Sequence, residues 1–275
     1  MVVLNAITID LEDWYHGNCT ETGPIIPRGQ KRVRPNTQRI LTLLAEFGVK
    51  ATFFVLGSVA QDDPSLIPMI AAEGHEIASH GYSHTLIPTL GPELFRDELR
   101  RTAEIIERQA GYLPVGFRAP QWSLGPRTPW ALEILRQEGC RYDSSYNPLP
   151  IIGNPRGPRA PFAIATPAGP ILELPPMVTP SPIGNLPSGG GWGFRFFPLV
   201  LIRHTMQRLN AAGTPALLYL HPREMEAYGP RLPLSPLYSF ASYGPRSEAT
   251  GRLRDLLSNF RFQTLREMAL AWQSA

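Results

Sequence analysis

The feature that most restricts what this chain can fold into is the alternation of short apolar runs with amphipathic stretches along most of its 275 residues. Ala6–Asp10 and Ala51–Leu56 read as buried strands, the second dense in aromatic and β-branched residues. Glu76–Ser79, Val115–Arg118, Tyr142–Asp143, Ile171–Leu174 and Ala216–Leu220 are further strand candidates. Between them, apolar spacing predicts helices from Asn36 through Phe47, from Pro64 to about Gly74, and over Pro92–Ala110, Thr128–Glu138, Pro198–Ala212 and Glu248–Leu257. Asn36 is placed to cap the first of these and Gly48 to stop it. Strands that alternate with helices pair in parallel through crossovers, so the chain is expected to be α/β. Seven or eight strand candidates favour an irregular (β/α) barrel over an open doubly wound sheet. No fixed-period repeat and no separating linker is visible, which predicts one domain over residues 1–275. Residues 147–195, rich in proline and glycine, are expected to form a decorating segment with a hairpin on that domain.

Composition excludes several classes of function. With 43% hydrophobic and 18% charged residues the chain has the makings of an ordinary globular core. A formal charge of +3, carried by scattered basic residues that form no run, gives no reason to expect nucleic acid as a partner. No apolar stretch approaches the roughly 20 residues needed to span a bilayer. The start, Met1 to Asn5, shows no basic region followed by an apolar run, and Cys19 and Cys140 lack metal-type spacing. The expectation is a cytoplasmic protein with free thiols, which a partner could still hold at a membrane.

Ionisable residues fall at the predicted strand ends: Asp10, His80, Arg118, Asp143 and His221. In parallel barrels the carboxyl ends of the strands gather at one mouth, where catalysis is housed. His80 and His84 are spaced i, i+4 around Gly81, which puts two imidazoles on one side of a turn, able to share a cation. Only six histidines occur in the chain, and this pair directly follows a strand. Asp10-Leu11-Glu12-Asp13 supplies three carboxylates in four residues, enough for a metal ligand and a general base. The competing reading is a helix N-cap with an acidic first turn, but Trp14-Tyr15-His16-Gly17 does not look like a helix start. His221, at the end of an apolar strand and before Pro222, is either a satisfied core residue or a general acid. Trp14, Tyr15, Trp122 and Trp192 adjoin these segments and could stack on the C–H faces of a sugar or pack in the core. The run Gly189–Gly193 reads as a mobile lid or a tight turn.

Taken together, these segments resemble the polysaccharide deacetylases of carbohydrate esterase family 4, which share the NodB homology domain. Thr8-Ile9-Asp10-Leu11-Glu12-Asp13 resembles a longer form of the family's first motif, His80–His84 its second, Phe117-Arg118-Ala119-Pro120 its third, and Tyr219-Leu220-His221 its C-terminal histidine motif. Tyr142-Asp143-Ser144-Ser145, Glu173-Leu174-Pro175, Gly189 to Arg195 and His221-Pro222-Arg223-Glu224 are similar to a branch associated with exopolysaccharide biosynthesis and exosortase systems. That branch more often has tryptophan where this chain has Arg223. The resemblance implies a NodB-like fold and hydrolysis of N-acetyl groups on an oligo- or polysaccharide. It implies a divalent ion, usually zinc, on His80, His84 and a carboxylate, Asp13 or alternatively Glu12. It further implies Asp10 as base, Arg118 as its partner, His221 as acid, Asp143 as an orienting group, and Pro120 among the substrate-binding residues. An amidase or allantoinase-like hydrolase of small C–N substrates, or a carbohydrate-binding protein without catalysis, would share the fold.

Overall fold

In a computed structural model of the chain, residues 3–16, 19–20, 23–24, 31–150, 152–244 and 249–273 are described. Among the described residues nine strands form the main sheet: β1 (Asn5–Leu11), β2 (Thr52–Val55), β3 (Glu76–Ser79), β4 (Gly116–Phe117), β5 (Tyr142–Asp143), β6 (Phe162–Ile164), β7 (Ile171–Glu173), β8 (Leu217–Leu220) and β9 (Phe262–Gln263). Their order is β8-β1-β2-β3-β4-β5-β7-β6, with β9 pairing the start of β1. All pairings are parallel except β6 with β7. The expected α/β class and curled, barrel-like sheet are present. The antiparallel edge strand β6 comes from the proline-rich segment, in which a hairpin of Thr179–Ser181 with Gly184–Leu186 also forms.

The curl closes without a strand. After β7 the chain reaches across to β8, where the Met177 amide donates to the Leu217 carbonyl (2.8 Å) and the Tyr219 amide to the Gly189 carbonyl (2.9 Å). A side chain here would obstruct the approach: a Cβ on Gly190 would stand 2.1 Å from the Tyr219 carbonyl oxygen. Gly189–Gly193 is therefore a tight passage packed on β8, and the helix Gly191–Phe196 begins within it.

Side chains alternate across each strand. One face of the sheet packs Ile7, Ile9, Phe53, Val55, Ile77 and Leu218 against surrounding helices, among them Val33–Glu46, Leu199–Ala211 and Ala249–Asn259. The other face lines the interior. Its lower half is apolar, with Ala6, Phe54, Ala78, Tyr142 and Leu217 meeting Leu265, Met268 and Ala269 of the C-terminal helix Leu265–Gln273. The upper half, toward the carboxyl ends of the strands, is polar.

Local signals explain most element limits. Helix Ile87–Ala110 is interrupted at Gly91 (φ 68°, ψ 175°), so its regular part begins at Pro92, where the sequence places it. The first long helix departs from expectation. It starts at Val33 rather than after Asn36, and Asn36 is buried, with its amide donating to Glu226 (3.1 Å). No helix among the described residues is long and apolar enough to cross a membrane. Cys140 is free and buried, and burial pushes its thiol up to about 12, while the side chain of Cys19 lies outside the described residues.

Candidate active site

Period-two alternation sends Thr8, Asp10 and Glu12 to the interior of the sheet, Glu12 just past the end of β1. Arg118, following β4, is 1% exposed and fills the space across from them. Its Nη1 donates to Asp10 Oδ1 (2.7 Å) and Thr8 Oγ1 (2.7 Å), its Nε to the Ser144 carbonyl (3.0 Å) and its Nη2 to Ser144 Oγ (2.8 Å). The guanidinium also lies 4.2 Å from the Phe54 ring centre and 5.0 Å from that of Trp122. Such a buried cation is tolerable because nearly every donor is used and a carboxylate neutralises it.

His80 and His84 converge on Glu12. Their Nε2 atoms lie 3.2 Å and 3.0 Å from the same oxygen, Glu12 Oε1. At the other side of the His80 ring, Nδ1 stands 2.7 Å from the Arg118 carbonyl, an acceptor, so Nδ1 carries the proton. In the neutral ring the Nε2 lone pair then faces the lone pairs of Oε1. Acceptors that face one another in a buried site need a cation between them, either a second imidazole proton or a metal ion. One carboxylate oxygen and two imidazole nitrogens, mutually within 4.8 Å, are the donor types and number of a three-ligand catalytic metal site. The backbone carbonyl on Nδ1 is the customary outer partner of a ligating histidine. The residues present therefore fit a divalent ion such as zinc. Burial raises the pKa of Glu12, but His84, His221 and the imidazole hydrogen bonds outweigh it and hold the group well below the usual carboxylate value.

His221 stands beside this cluster, its Nε2 3.8 Å from Asp10 Oδ2 and 4.0 Å from Glu12 Oε1. Its Nδ1 is 3.0 Å from Glu224 Oε1, a carboxylate buried in the short turn Pro222–Met225. Burial raises the pKa of Glu224, but the Arg195 guanidinium, 4.0 Å away, and His221 hold it below the ordinary value. Arg223 Nη1 donates to the second oxygen of Glu12 (2.9 Å), leaving Oε1 to the imidazoles. All three non-glycine residues with positive φ among those described are at this mouth: His84 (68°), Gln121 (50°) and Trp122 (57°). Strained backbone of this kind concentrates at functional sites.

Asp10, Glu12, His80, His84, Arg118 and His221 are thus brought together. Asp13, the preferred carboxylate ligand from sequence, is not. Its oxygens accept from the amides of Trp14 (2.8 Å) and Arg32 (3.0 and 2.9 Å), so it anchors the loop to the start of helix Val33–Glu46. Glu12, the alternative ligand, takes the central place. Asp143 is also turned away, onto the opposite face of its strand. It accepts from Ser145 Oγ (2.6 Å), which in turn accepts from the Ala119 amide (2.8 Å), and it shares a hydrogen bond with the buried carboxyl of Glu173. It thereby braces the segment that carries Arg118.

Of the aromatic residues expected to meet a sugar, Trp14 and Tyr15 are buried, and Pro120 is buried as well. Trp192 packs on Phe196, Phe197 and Phe240. Trp122 is half-exposed, edge-on to Tyr219 (4.8 Å) and over Arg118. Sequence reasoning assigned no role to Glu224, Arg195, Arg223, Thr8 or Ser144. The i, i+3 spacing of His221 and Glu224 past a strand end was the available signal for the first.

Comparisons with known proteins agree with this geometry in part. Residues 21–142 match the polysaccharide deacetylase family, and residues 144–270 match a domain of unknown function, DUF3473. The first stretch contains His80, His84 and Arg118, whereas Asp10 and Glu12 precede it and His221 lies in the second. A peptidoglycan-N-acetylglucosamine deacetylase of Bacillus cereus is 40% identical over 98 residues, 35% of this chain and 36% of that protein. The chain thus spans about a third of the length of that relative. A crystal structure named as a polysaccharide deacetylase from Mycobacterium smegmatis superposes with a TM-score of 0.62 at 26% identity, covering 87% of this chain and 77% of the other. The Puue allantoinase superposes with a TM-score of 0.67 at 18% identity, over 99% and 90% of the two chains, a likeness of fold alone.

Proposed function

We propose that this chain, whose residues 21–142 match the polysaccharide deacetylase family, is a zinc-dependent hydrolase of N-acetyl groups on amino sugars of a polysaccharide or its precursor. The observation that carries the reading is the convergence of His80 and His84 Nε2 on one oxygen of Glu12, beside a paired acid and base. Amide hydrolysis requires an activated water, charge stabilisation at the carbonyl and a proton for the leaving nitrogen. Glu12, His80 and His84 would hold the divalent ion, which would supply the first two as a Lewis acid.

The chain's own groups supply the rest. Asp10 accepts the proton of the attacking water, and the guanidinium of Arg118 at 2.7 Å keeps Asp10 aimed. His221, on the other side of Asp10, delivers a proton to the departing nitrogen from Nε2. Glu224 on Nδ1 fixes the ring orientation, and Arg195 holds Glu224 in turn. Trp122 is a partly exposed ring at the mouth on which a sugar can stack. The motifs around Tyr142, Gly189 and His221 support a place in exopolysaccharide biosynthesis.

The fold is shared with an allantoinase, so substrate class is the test. Acetate release from N-acetylglucosamine oligomers, with no turnover of allantoin, is the expected result. Turnover of allantoin without acetate release would overturn the reading.

A further inference from the structure

Three carboxylates at the mouth each face a guanidinium. Asp10 is paired with Arg118 (2.7 Å), Glu12 with Arg223 (2.9 Å) and Glu224 with Arg195 (4.0 Å). Arg118 and Arg195 also hold other groups: Arg118 donates to Thr8 and Ser144, and Arg195 to the carbonyls of Gly191 and Tyr243. Arg223 differs. Its side chain is 11% exposed and its buried Nε meets no acceptor. Among the described residues, Glu12 Oε2 is the one hydrogen-bond acceptor of its guanidinium.

The register of the sheet brings the two residues together. β1 and β8 are parallel with Ile9 opposite Leu220, so Glu12 and Arg223 each lie three residues beyond the same rung. Arg223 projects from the short turn Pro222–Met225, which the Glu224 amide ties to the His221 carbonyl (2.9 Å).

This placement does not strengthen a metal site. Burying a guanidinium with a single acceptor is unfavourable in itself. A positive charge there also repels a dication and neutralises Glu12, the anionic member of the Glu12, His80 and His84 set. What the contact does is occupy one oxygen. Oε2 is taken by Arg223, and only Oε1 faces the Nε2 atoms of His80 and His84, at 3.2 Å and 3.0 Å. A carboxylate with both oxygens free can bind one ion through both. It would then fill a position that a catalytic site keeps open for its reactants.

We propose that Arg223 is a positioning residue that restricts Glu12 to one oxygen toward the ion, which weakens metal binding and keeps a coordination position open. This rests on reading the mouth as a zinc-dependent deacetylase site. Removing the guanidinium then tightens the metal and slows the reaction.

The test compares the wild-type chain with Arg223→Met and Arg223→Lys, each first shown to unfold near the wild-type temperature. By chelator competition, Arg223→Met should bind zinc roughly tenfold more tightly, the reverse of the loss that follows removal of a merely supporting partner. Arg223→Lys, which keeps a cation and a donor, should stay within about threefold of wild type. The visible absorption of the cobalt-substituted chain should weaken in Arg223→Met, as it does when the coordination number rises. In acetate release, kcat should fall roughly tenfold with KM unchanged, the sign of a group that serves only the reacting state. Weaker zinc binding by a folded Arg223→Met, an unchanged cobalt spectrum, or zinc binding by Arg223→Lys as tight as that of Arg223→Met would overturn the proposal. The metal measurements need no substrate, so the two claims separate. Tighter zinc and a weaker cobalt spectrum without any acetate release leave the role of Arg223 standing and sink the deacetylase reading.

Discussion

Glu12 and Asp13 are adjacent carboxylates with different surroundings. Strand alternation carries Thr8, Asp10 and Glu12 to one side of the backbone and turns Asp13 to the other, where the amides of Trp14 and Arg32 take up its oxygens. That period was legible in the sequence and would have favoured Glu12. The motif resemblance, with its lengthened spacing, pointed to Asp13 instead. The two residues should therefore separate experimentally. Glu12→Gln is expected to weaken zinc binding by more than roughly 100-fold, beyond the range usual for residues that only touch a ligand. Asp13→Ala should keep zinc within a few-fold and cost about 1–2 kcal/mol of stability, the scale of a lost helix-start anchor. Chelator competition and denaturant melts read the two effects. The Asp143–Glu173 pair gives a pH-dependent prediction. Burial, against the hydrogen bonds to Glu173 and Ser145, raises Asp143 from 3.8 to about 6. The folded state therefore holds this proton more tightly than the unfolded chain. The resulting stability is full below about pH 4 and is lost as pH rises through about 6. Relative to Asp143→Asn, the wild-type chain should lose about 1–2 kcal/mol between pH 5 and pH 7.5. Parallel pH profiles from urea unfolding would contradict this.

Among elements, β3 and β5 occupy the limits read from sequence, and β1, β2 and β8 differ by a residue at one or both ends, because dense apolar runs set their extent. What escaped was determined by partners rather than local pattern. β6 and β9 are only three and two residues long and exist through pairing with β7 and β1. The start of helix Val33–Glu46 is set by Asp13, 20 residues before Val33, a contact that no local capping signal reveals. The Gly189–Gly193 run left lid and turn as alternatives, and the close approach of β8 decides for the turn. A Cβ on Gly193 would stand 1.8 Å from the Pro187 carbonyl oxygen. Gly193→Ala is accordingly expected to cost at least about 2 kcal/mol, since backbone rather than a flexible side chain must move. A thermal melt within 1 °C of wild type would count against the packed passage.

Over the whole molecule, the candidate site draws on both matched stretches and on the strand that precedes them. Asp10 and Glu12 come from β1, His80, His84 and Arg118 from the polysaccharide deacetylase match, and His221, Glu224 and Arg195 from the DUF3473 match. The same sheet joins all three, since β1 pairs with β8 on one side and β2 on the other. Strand-end positions made most of this assembly visible in the sequence. The inward ring of Arg195, Arg223 and Glu224 was not, because it depends on how the chain after β7 folds back over β8. The measurement that bears most directly on the central claim is acetate release from N-acetylglucosamine pentamer by metal-stripped protein titrated with zinc. Restoration that saturates at one zinc per chain in the wild type and is absent in Glu12→Gln is the predicted result. Full release by the stripped protein, or equal restoration of Glu12→Gln, would contradict the account.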